Sequence, residues 1–157
     1  MRKFAILTLA VLKLATFVAL GQAEIGWNGI VPLKTTRSDV GRLLGKPKFV
    51  YENSDLFFRE DEKVSVEYAS GPCEGLRPHW NVSKGTVVSM LVKPMKTISF
   101  DAKMLGPEFV RGAVQDDLSV EYANAVTGVK YTVNEFGELS SIRFDPSSAA
   151  KVKHRCK

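Results

Sequence analysis

Residues 85–94 read Gly-Thr-Val-Val-Ser-Met-Leu-Val-Lys-Pro. The run is mostly apolar and rich in β-branched residues, and glycine and proline bound it, which is typical of a β-strand. Residues 137–146 read Gly-Glu-Leu-Ser-Ser-Ile-Arg-Phe-Asp-Pro, with glycine, serine and proline at the same positions of the run. Such self-similarity predicts that the chain contains an internal duplication.

The similarity continues towards the N-terminal side of both runs. Residues 43–50, Leu-Leu-Gly-Lys-Pro-Lys-Phe-Val, resemble residues 104–110, Met-Leu-Gly-Pro-Glu-Phe-Val, with one residue deleted, and Asp-Leu occurs at both 55–56 and 117–118. Two repeats are therefore expected, at about 30–94 and 98–146.

A different alignment of the two halves is also possible. Residues 64–69, Val-Ser-Val-Glu-Tyr-Ala, closely resemble residues 118–123, Leu-Ser-Val-Glu-Tyr-Ala. Matching them leaves residues 128–133 as an extra strand, so the alignment that keeps the elements in order is preferred. Chance similarity between short β-patterns is the other explanation.

A short helix is expected before the first strands. Thr36-Arg37-Ser38-Asp39 resembles a capping box with aspartate in place of glutamate. The apolar residues that follow have helical spacing, and glycine and proline then end the pattern: Val40, Leu43, Leu44, Gly45 and Pro47. The pattern predicts an amphipathic helix near residues 38–44.

These patterns together predict the fold class. In the first half, strands are expected at 56–58, 64–68 and 86–92, with a long irregular loop over residues 70–84. Consecutive strands joined by short turns pair antiparallel. We therefore expect an α+β fold in which a short helix packs on antiparallel sheet, as two tandem helix–three-strand units, each beginning with a helix or a helix-like turn.

The N-terminus has the features of a secretory signal peptide. A positive Met1-Arg2-Lys3 precedes a long apolar run, and small residues end it at Ala23. A retained membrane anchor is the alternative, but Lys13 would lie inside the lipid at a cost of about 2.5–3.5 kcal/mol. We expect a signal peptide over residues 1–23, cleavage between Ala23 and Glu24, and a single exported domain over 24–157 without a membrane span.

The charge of the chain becomes small once this segment is removed. The full sequence has 22 basic and 17 acidic residues. Loss of the three signal-peptide cations leaves 19 against 17, and four of those 19 lie in the last seven residues. A nucleic-acid-binding protein should carry a basic face on its body. We therefore expect no nucleic acid partner and interpret the basic C-terminal tail as a solvated end.

The chain contains two cysteines, Cys73 and Cys156. An even number of cysteines in an exported chain usually indicates a disulfide, which would tie the tail back to the long loop. A zinc site that adds His79 and His154 is the alternative, but the spacing fits no zinc motif. We expect the disulfide, no metal and no cofactor.

The segment Thr36-Arg37-Ser38-Asp39-Val40-Gly41-Arg42-Leu43-Leu44-Gly45-Lys46-Pro47 resembles the SmpA/OmlA (BamE-like) outer-membrane assembly lipoproteins. The tandem units are also similar to the β-lactamase-inhibitor-protein fold. The match covers about a dozen residues, and the lipid-bearing cysteine of the first group is absent. The resemblance implies an envelope location and protein contact, and it assigns no functional residue.

The sequence lacks the usual signatures of catalysis. It has no Gly-x-Ser-x-Gly elbow, no His-Glu-x-x-His and no phosphate-binding glycine loop. We expect a periplasmic or secreted non-enzymatic module that binds an envelope or extracellular protein, with Trp80 and His79 of the long loop as candidate binding residues. A small hydrolase that uses His79 and a purely structural domain are the alternatives. Oligomeric state is left open.

Overall fold

The computed structural model describes residues 25–74 and 79–156. These residues form one eight-stranded antiparallel sheet and two short α-helices. The strands are β1 Phe49–Val50, β2 Ser54–Phe58, β3 Glu62–Tyr68, β4 Val87–Pro94, β5 Val110–Val114, β6 Val120–Asn124, β7 Val129–Val133 and β8 Leu139–Phe144, and the helices are α1 Arg37–Leu44 and α2 Ser148–His154. The expected signal peptide and its cleavage site after Ala23 lie outside the described residues. Within the described ranges, no helix is long and apolar enough to cross a membrane.

Helix α1 begins as the sequence predicts. The Thr36 hydroxyl accepts a hydrogen bond from the backbone N–H of Asp39, and the Asp39 carboxylate accepts from the backbone N–H of Thr36, which makes a reciprocal capping box. Hydrogen bonds from Thr36 lower the pKa of Asp39 to about 2. The largest contribution comes from the Thr36 hydroxyl, which donates to Oδ2 of Asp39 at 2.6 Å. The helix ends at Gly45, whose φ of 81° favours glycine. The predicted helix near 38–44 is confirmed.

The apolar face of α1 is narrower than expected. Val40 is fully buried and Leu44 packs partly buried against the core. Leu43, an apolar residue of the helical pattern, is 48% exposed and lies beside the turn at Gly29, so it is not part of the core. The helix of eight residues touches the core along one line of side chains, and Val40 supplies the only fully buried one among its described residues.

The sheet has the strand order β1-β2-β3-β4-β8-β7-β6-β5. Each half of the chain is a four-stranded antiparallel meander, and the halves meet where β4 pairs with β8. At that seam Leu91 pairs with Arg143, flanked by Met90 with Phe144 and Val92 with Ile142. Leu91 and Arg143 are also equivalent positions when residues 85–94 are aligned with 137–146. The pairing is therefore close to two-fold symmetric about these two residues, while the duplication itself stays a prediction.

The predicted α+β fold with two tandem helix–three-strand units is wrong. The described chain is nearly all-β, with four strands in each half; α1 precedes the first meander, and α2 follows the second one. Before the second meander, residues 102–104 form one turn of 3₁₀ helix. Gly106 and Pro107 follow almost at once, which leaves too few residues for an α-helix to form. Strands β1 and β5, at the sheet edges, were not predicted.

The hydrophobic core lies on one face of the sheet. Cross-strand pairs on this face join Val64 to Val92 and Val66 to Met90, and all four are at most 2% exposed. Helix α1 and the buried Ile30 cover the first half of this face. In the second half, Phe100 and Phe109, from the segment between β4 and β5, pack against two tyrosines of the sheet, Tyr122 and Tyr131. Side chains alternate along a strand, so the opposite face presents a different, more polar set.

A buried ion pair joins the start of α1 to the sheet. Nε of Arg37 lies 2.9 Å from Oδ2 of Asp55, and Nη2 of Arg37 lies 2.5 Å from Oδ1 of the same carboxylate. The guanidinium also donates to the carbonyls of Tyr51 and Glu52 and lies 4.8 Å from the centroid of the Tyr68 ring. Burial, with a contribution from the Asp55 carboxylate, raises the pKa of Tyr68. The Asp55 side chain is 6% exposed, and Arg37 is its charged partner.

Candidate functional site

A cleft of about 660 Å³ lies at one end of the polar face of the sheet. This volume is in the range of about 300–1,000 Å³ that is usual for ligand sites. Its floor comes from β2, β3, β4 and β8, and its walls come from the loop that carries Cys73 and from helix α2. The residues that line it are Asn53, Ser54, Glu67, Tyr68, Ala69, Ser70, Glu74, Trp80, Val88, Ser89, Arg143, Asp145, Pro146, Lys151 and Arg155.

A row of polar side chains crosses the floor. Ser54 pairs with Glu67 and Glu67 pairs with Ser89, and directly paired residues lie on the same face of a sheet. The Ser89 hydroxyl donates to Oδ1 of Asp145 at 3.0 Å and accepts from the Arg143 guanidinium at 3.2 Å. These hydrogen bonds connect the two halves of the molecule on the floor of the cleft.

The walls are held together by a disulfide and by backbone hydrogen bonds. Cys73 and Cys156 are bonded, with an S–S distance of 2.01 Å, and this confirms the predicted disulfide. The N–H of Cys73 donates to the carbonyl of Trp80, and Trp80 forms an isolated β-bridge with Arg155. The N–H of Cys156 donates to the carbonyl of His79 at 3.1 Å. Because both sulfurs are used in the disulfide, the alternative zinc site has no thiolate ligands.

The basic tail, which the sequence led us to interpret as a solvated end, is helical up to His154. Ser147 caps α2 by accepting from the N–H of Ala150 at 3.2 Å. Lys151 and Arg155 are four residues apart, which places them one turn apart on the side of the cleft. Lys153 is exposed and does not line the cleft, so the tail has a cleft side and a solvent side.

The two predicted binding residues have different positions. Trp80 lines the cleft and is 8% exposed. His79 does not line it, and its Nδ1 lies 2.8 Å from the carbonyl oxygen of Cys73. A carbonyl oxygen accepts hydrogen bonds, so Nδ1 carries the proton in this contact. His79 therefore helps to fix the loop, and a binding role for either residue stays a prediction.

The charges of the cleft come from two segments of the chain. Glu67 and Glu74 belong to β3 and the loop that follows it, and the three cations Arg143, Lys151 and Arg155 belong to the segment from β8 to the end of α2. Among the residues that the structure describes, none of these five groups has an ion-pair partner within 4 Å. Asp145, by contrast, has Lys130 at 3.8 Å and the Ser89 hydroxyl. The cleft is dipolar, with charges of both signs available to a ligand.

Sequence reasoning did not find most of these residues. A helix signal was present at the tail, because Ser147 precedes Ala149 and Ala150, a capping residue followed by good helix formers. Strand alternation was a second signal, because Glu67 lies between Val66 and Tyr68 and Arg143 lies between Ile142 and Phe144. Which outward residues share one cleft depends on the pairing of β4 with β8, a contact between residues more than 50 positions apart in the chain.

Comparison with known proteins identifies a fold relative. No protein-family model and no curated protein matches the chain. The solved structure of a DUF4309 family protein, YjgB from Bacillus subtilis, is similar with a TM-score of 0.53 and 12% sequence identity, and the match covers 79% of this chain and 88% of that chain. At this identity the likeness shows a shared fold alone.

Proposed function

We propose that the protein is an exported binding module that recognises another macromolecule in the cell envelope or outside the cell. The observation that carries the proposal is the cleft beneath the Cys73 loop. It combines a volume suited to a ligand, a tryptophan in its wall, and charges of both signs that have no ion-pair partner within 4 Å in the described part of the chain. Charged groups without a partner in a concave site are available to recognise a ligand.

The disulfide supports the exported location. Cys73 is exposed and Cys156 half-buried, so the bond is accessible to the thiols of a reducing compartment. Disulfides persist mainly in oxidising compartments, which include the periplasm and the extracellular medium. The signal-peptide pattern of residues 1–23 is independent of this argument and leads to the same location.

The hydrogen bonding of the cleft favours binding over catalysis. One hydroxyl in its floor, that of Ser89, is hydrogen-bonded to Asp145 and Arg143. A nucleophilic serine ordinarily needs an imidazole or a comparable base beside it. The described lining of the cleft contains no histidine, and His79 is held against the Cys73 carbonyl instead. The hydrolase alternative therefore lacks the group on which it was based.

A capture experiment with matched variants of α2 tests the proposal. Wild-type protein, Lys151→Glu/Arg155→Glu and Lys153→Glu would be immobilised and exposed to envelope extract from the producing cells. We expect a partner to be retained by wild type and by Lys153→Glu and to be reduced at least about tenfold by the double variant, because its reversed charges face the cleft.

Two outcomes would contradict the proposed function. Equal retention by all three proteins would place the contact elsewhere on the surface. Absence of any partner, with turnover of a screened ester, amide or glycoside by wild type, would favour an enzyme. Near-ultraviolet circular dichroism of each variant provides the control for folding, since all the substituted residues lie on α2 or at its C-terminal cap.

A further inference from the structure

We propose that the ligand of the cleft is a short peptide segment that carries both an ammonium group and a carboxylate. This inference rests on the proposed function and specifies the chemistry of its ligand. It is based on the charges of both signs in the lining of the cleft that have no ion-pair partner within 4 Å among the described residues, which a ligand of a single charge sign would not match.

The basic side of the cleft suits a carboxylate. Arg143 extends from β8 over Ser89, Lys151 follows on α2, and Arg155 is the residue that caps the C-terminus of α2. Asp145 lies between them in sequence, but its charge is partly offset by Lys130 at 3.8 Å. Charge-assisted hydrogen bonds from arginine and lysine to a carboxylate are stronger than neutral ones. An incoming carboxylate would give this group of cations the counter-charge that the described residues do not supply.

The acidic side suits an ammonium group. Glu67 is exposed in the floor and Glu74 is exposed in the Cys73 loop, and neither has an ion-pair partner within 4 Å among the described residues. A purely anionic ligand would meet both carboxylates, and repulsion between like charges is a common way to exclude a wrong ligand. A ligand with charges of both signs is compatible with both sides of the cleft.

The remaining lining suits peptide groups. The lining also includes the hydroxyls of Ser54 and Ser70 and the amide of Asn53, which can donate to a carbonyl and accept from an N–H. A cleft of about 660 Å³ has room for more than a single amino acid, and sites of this size accommodate drug-sized ligands. A peptide of about three residues meets these requirements of charge, hydrogen bonding and size.

The test uses tri-alanine with four combinations of ends: both free, N-acetylated, C-amidated, and blocked at both. Fluorine NMR of protein labelled with 5-fluorotryptophan would follow binding, because the chain has two tryptophans. Trp80 lines the cleft and Trp27 packs against the core, so Trp27 is an internal control. We expect the free peptide to shift the Trp80 resonance alone and each blocked end to weaken binding by about tenfold.

Two variants assign the ends of the peptide to the two sides of the cleft. The Glu67→Gln variant should bind the peptide with a free N-terminus no more tightly than the acetylated peptide. It should still bind the peptide with a free C-terminus more tightly than the amidated one. The Lys151→Gln variant should lose the preference for a free C-terminus and keep the preference for a free N-terminus. Lys153→Gln is the matched control and should behave as wild type, because this lysine lies on the solvent side of the same helix.

Equal affinity for the free and the doubly blocked peptide would overturn the inference, and so would the absence of a Trp80 shift at millimolar peptide. An equal effect of Lys153→Gln would do the same. None of these outcomes would by itself contradict the proposed function, which the capture experiment tests separately. If capture depends on Lys151 and Arg155 while no peptide binds, the cleft binds a macromolecule of different chemistry.

Discussion

The variant Cys73→Ser/Cys156→Ser is expected to lose about 4.5 kcal/mol of unfolding free energy relative to the oxidised wild type. The disulfide joins residues separated by 83 positions, and closing so long a loop removes much of the conformational entropy of the unfolded chain. Equilibrium denaturation in urea, followed by the fluorescence of both tryptophans, measures the change. The dependence of the unfolding free energy on urea concentration should also differ from that of wild type, because the cross-link compacts the unfolded state.

Wild-type protein in excess dithiothreitol is the control for this variant. Its stability should fall to that of the double variant, and the reductant should leave the double variant unchanged. A loss below about 1 kcal/mol would contradict the expectation, because it would mean that the cross-link does not restrict the unfolded chain as the entropy model requires.

Arg37→Met is expected to destabilise the protein by about 3 kcal/mol. The substitution keeps an extended apolar side chain over Tyr68 but leaves the carboxylate of Asp55, which is 6% exposed, without its bidentate partner. Removing one partner of a buried ion pair is costly, mostly because the remaining charge stays desolvated. Urea denaturation at pH 7 gives the magnitude.

A double variant separates this effect from a simple loss of contacts. In Arg37→Met/Asp55→Asn the uncompensated charge is gone, so we expect part of the lost stability to return. Arg42→Met is the control on the same helix, because the Arg42 side chain is 77% exposed and its pair with Asp39 lies at the surface. A double variant no more stable than Arg37→Met would contradict the role assigned to the buried charge.

The fold could be predicted from the sequence where local signals decide it. The capping box at Thr36 and the strand from Val87 to Pro94 occur as expected, because they depend on residues close together in the chain. The edge strands β1 and β5 were missed because β1 has two residues and the whole of β5 is exposed, so neither shows an apolar pattern. A helix at the start of the second repeat was predicted only from the likeness of this repeat to the first one. The local signal of Gly106 and Pro107 was against it.

The candidate site was less predictable for a different reason. The disulfide followed from the compartment and the cysteine count, and it brought the tail towards the Cys73 loop. The position of α2, the orientation of His79 away from the cleft and the polar row around Ser89 follow from long-range pairing in the sheet. Sequence periodicity identifies the outward face of each strand but not the neighbours that each strand will have.

The most direct test of the binding cleft is site-specific photocrosslinking in cells that produce the protein. The photoreactive amino acid p-benzoylphenylalanine would replace Asn53, which lines the cleft, or Phe136, which is 77% exposed in the turn between β7 and β8. The proposal predicts a discrete crosslinked product from position 53 that is lost when Lys151→Glu/Arg155→Glu is added, and none from position 136. A product from position 136 alone, or none from position 53 in a folded, disulfide-bonded protein, would contradict it.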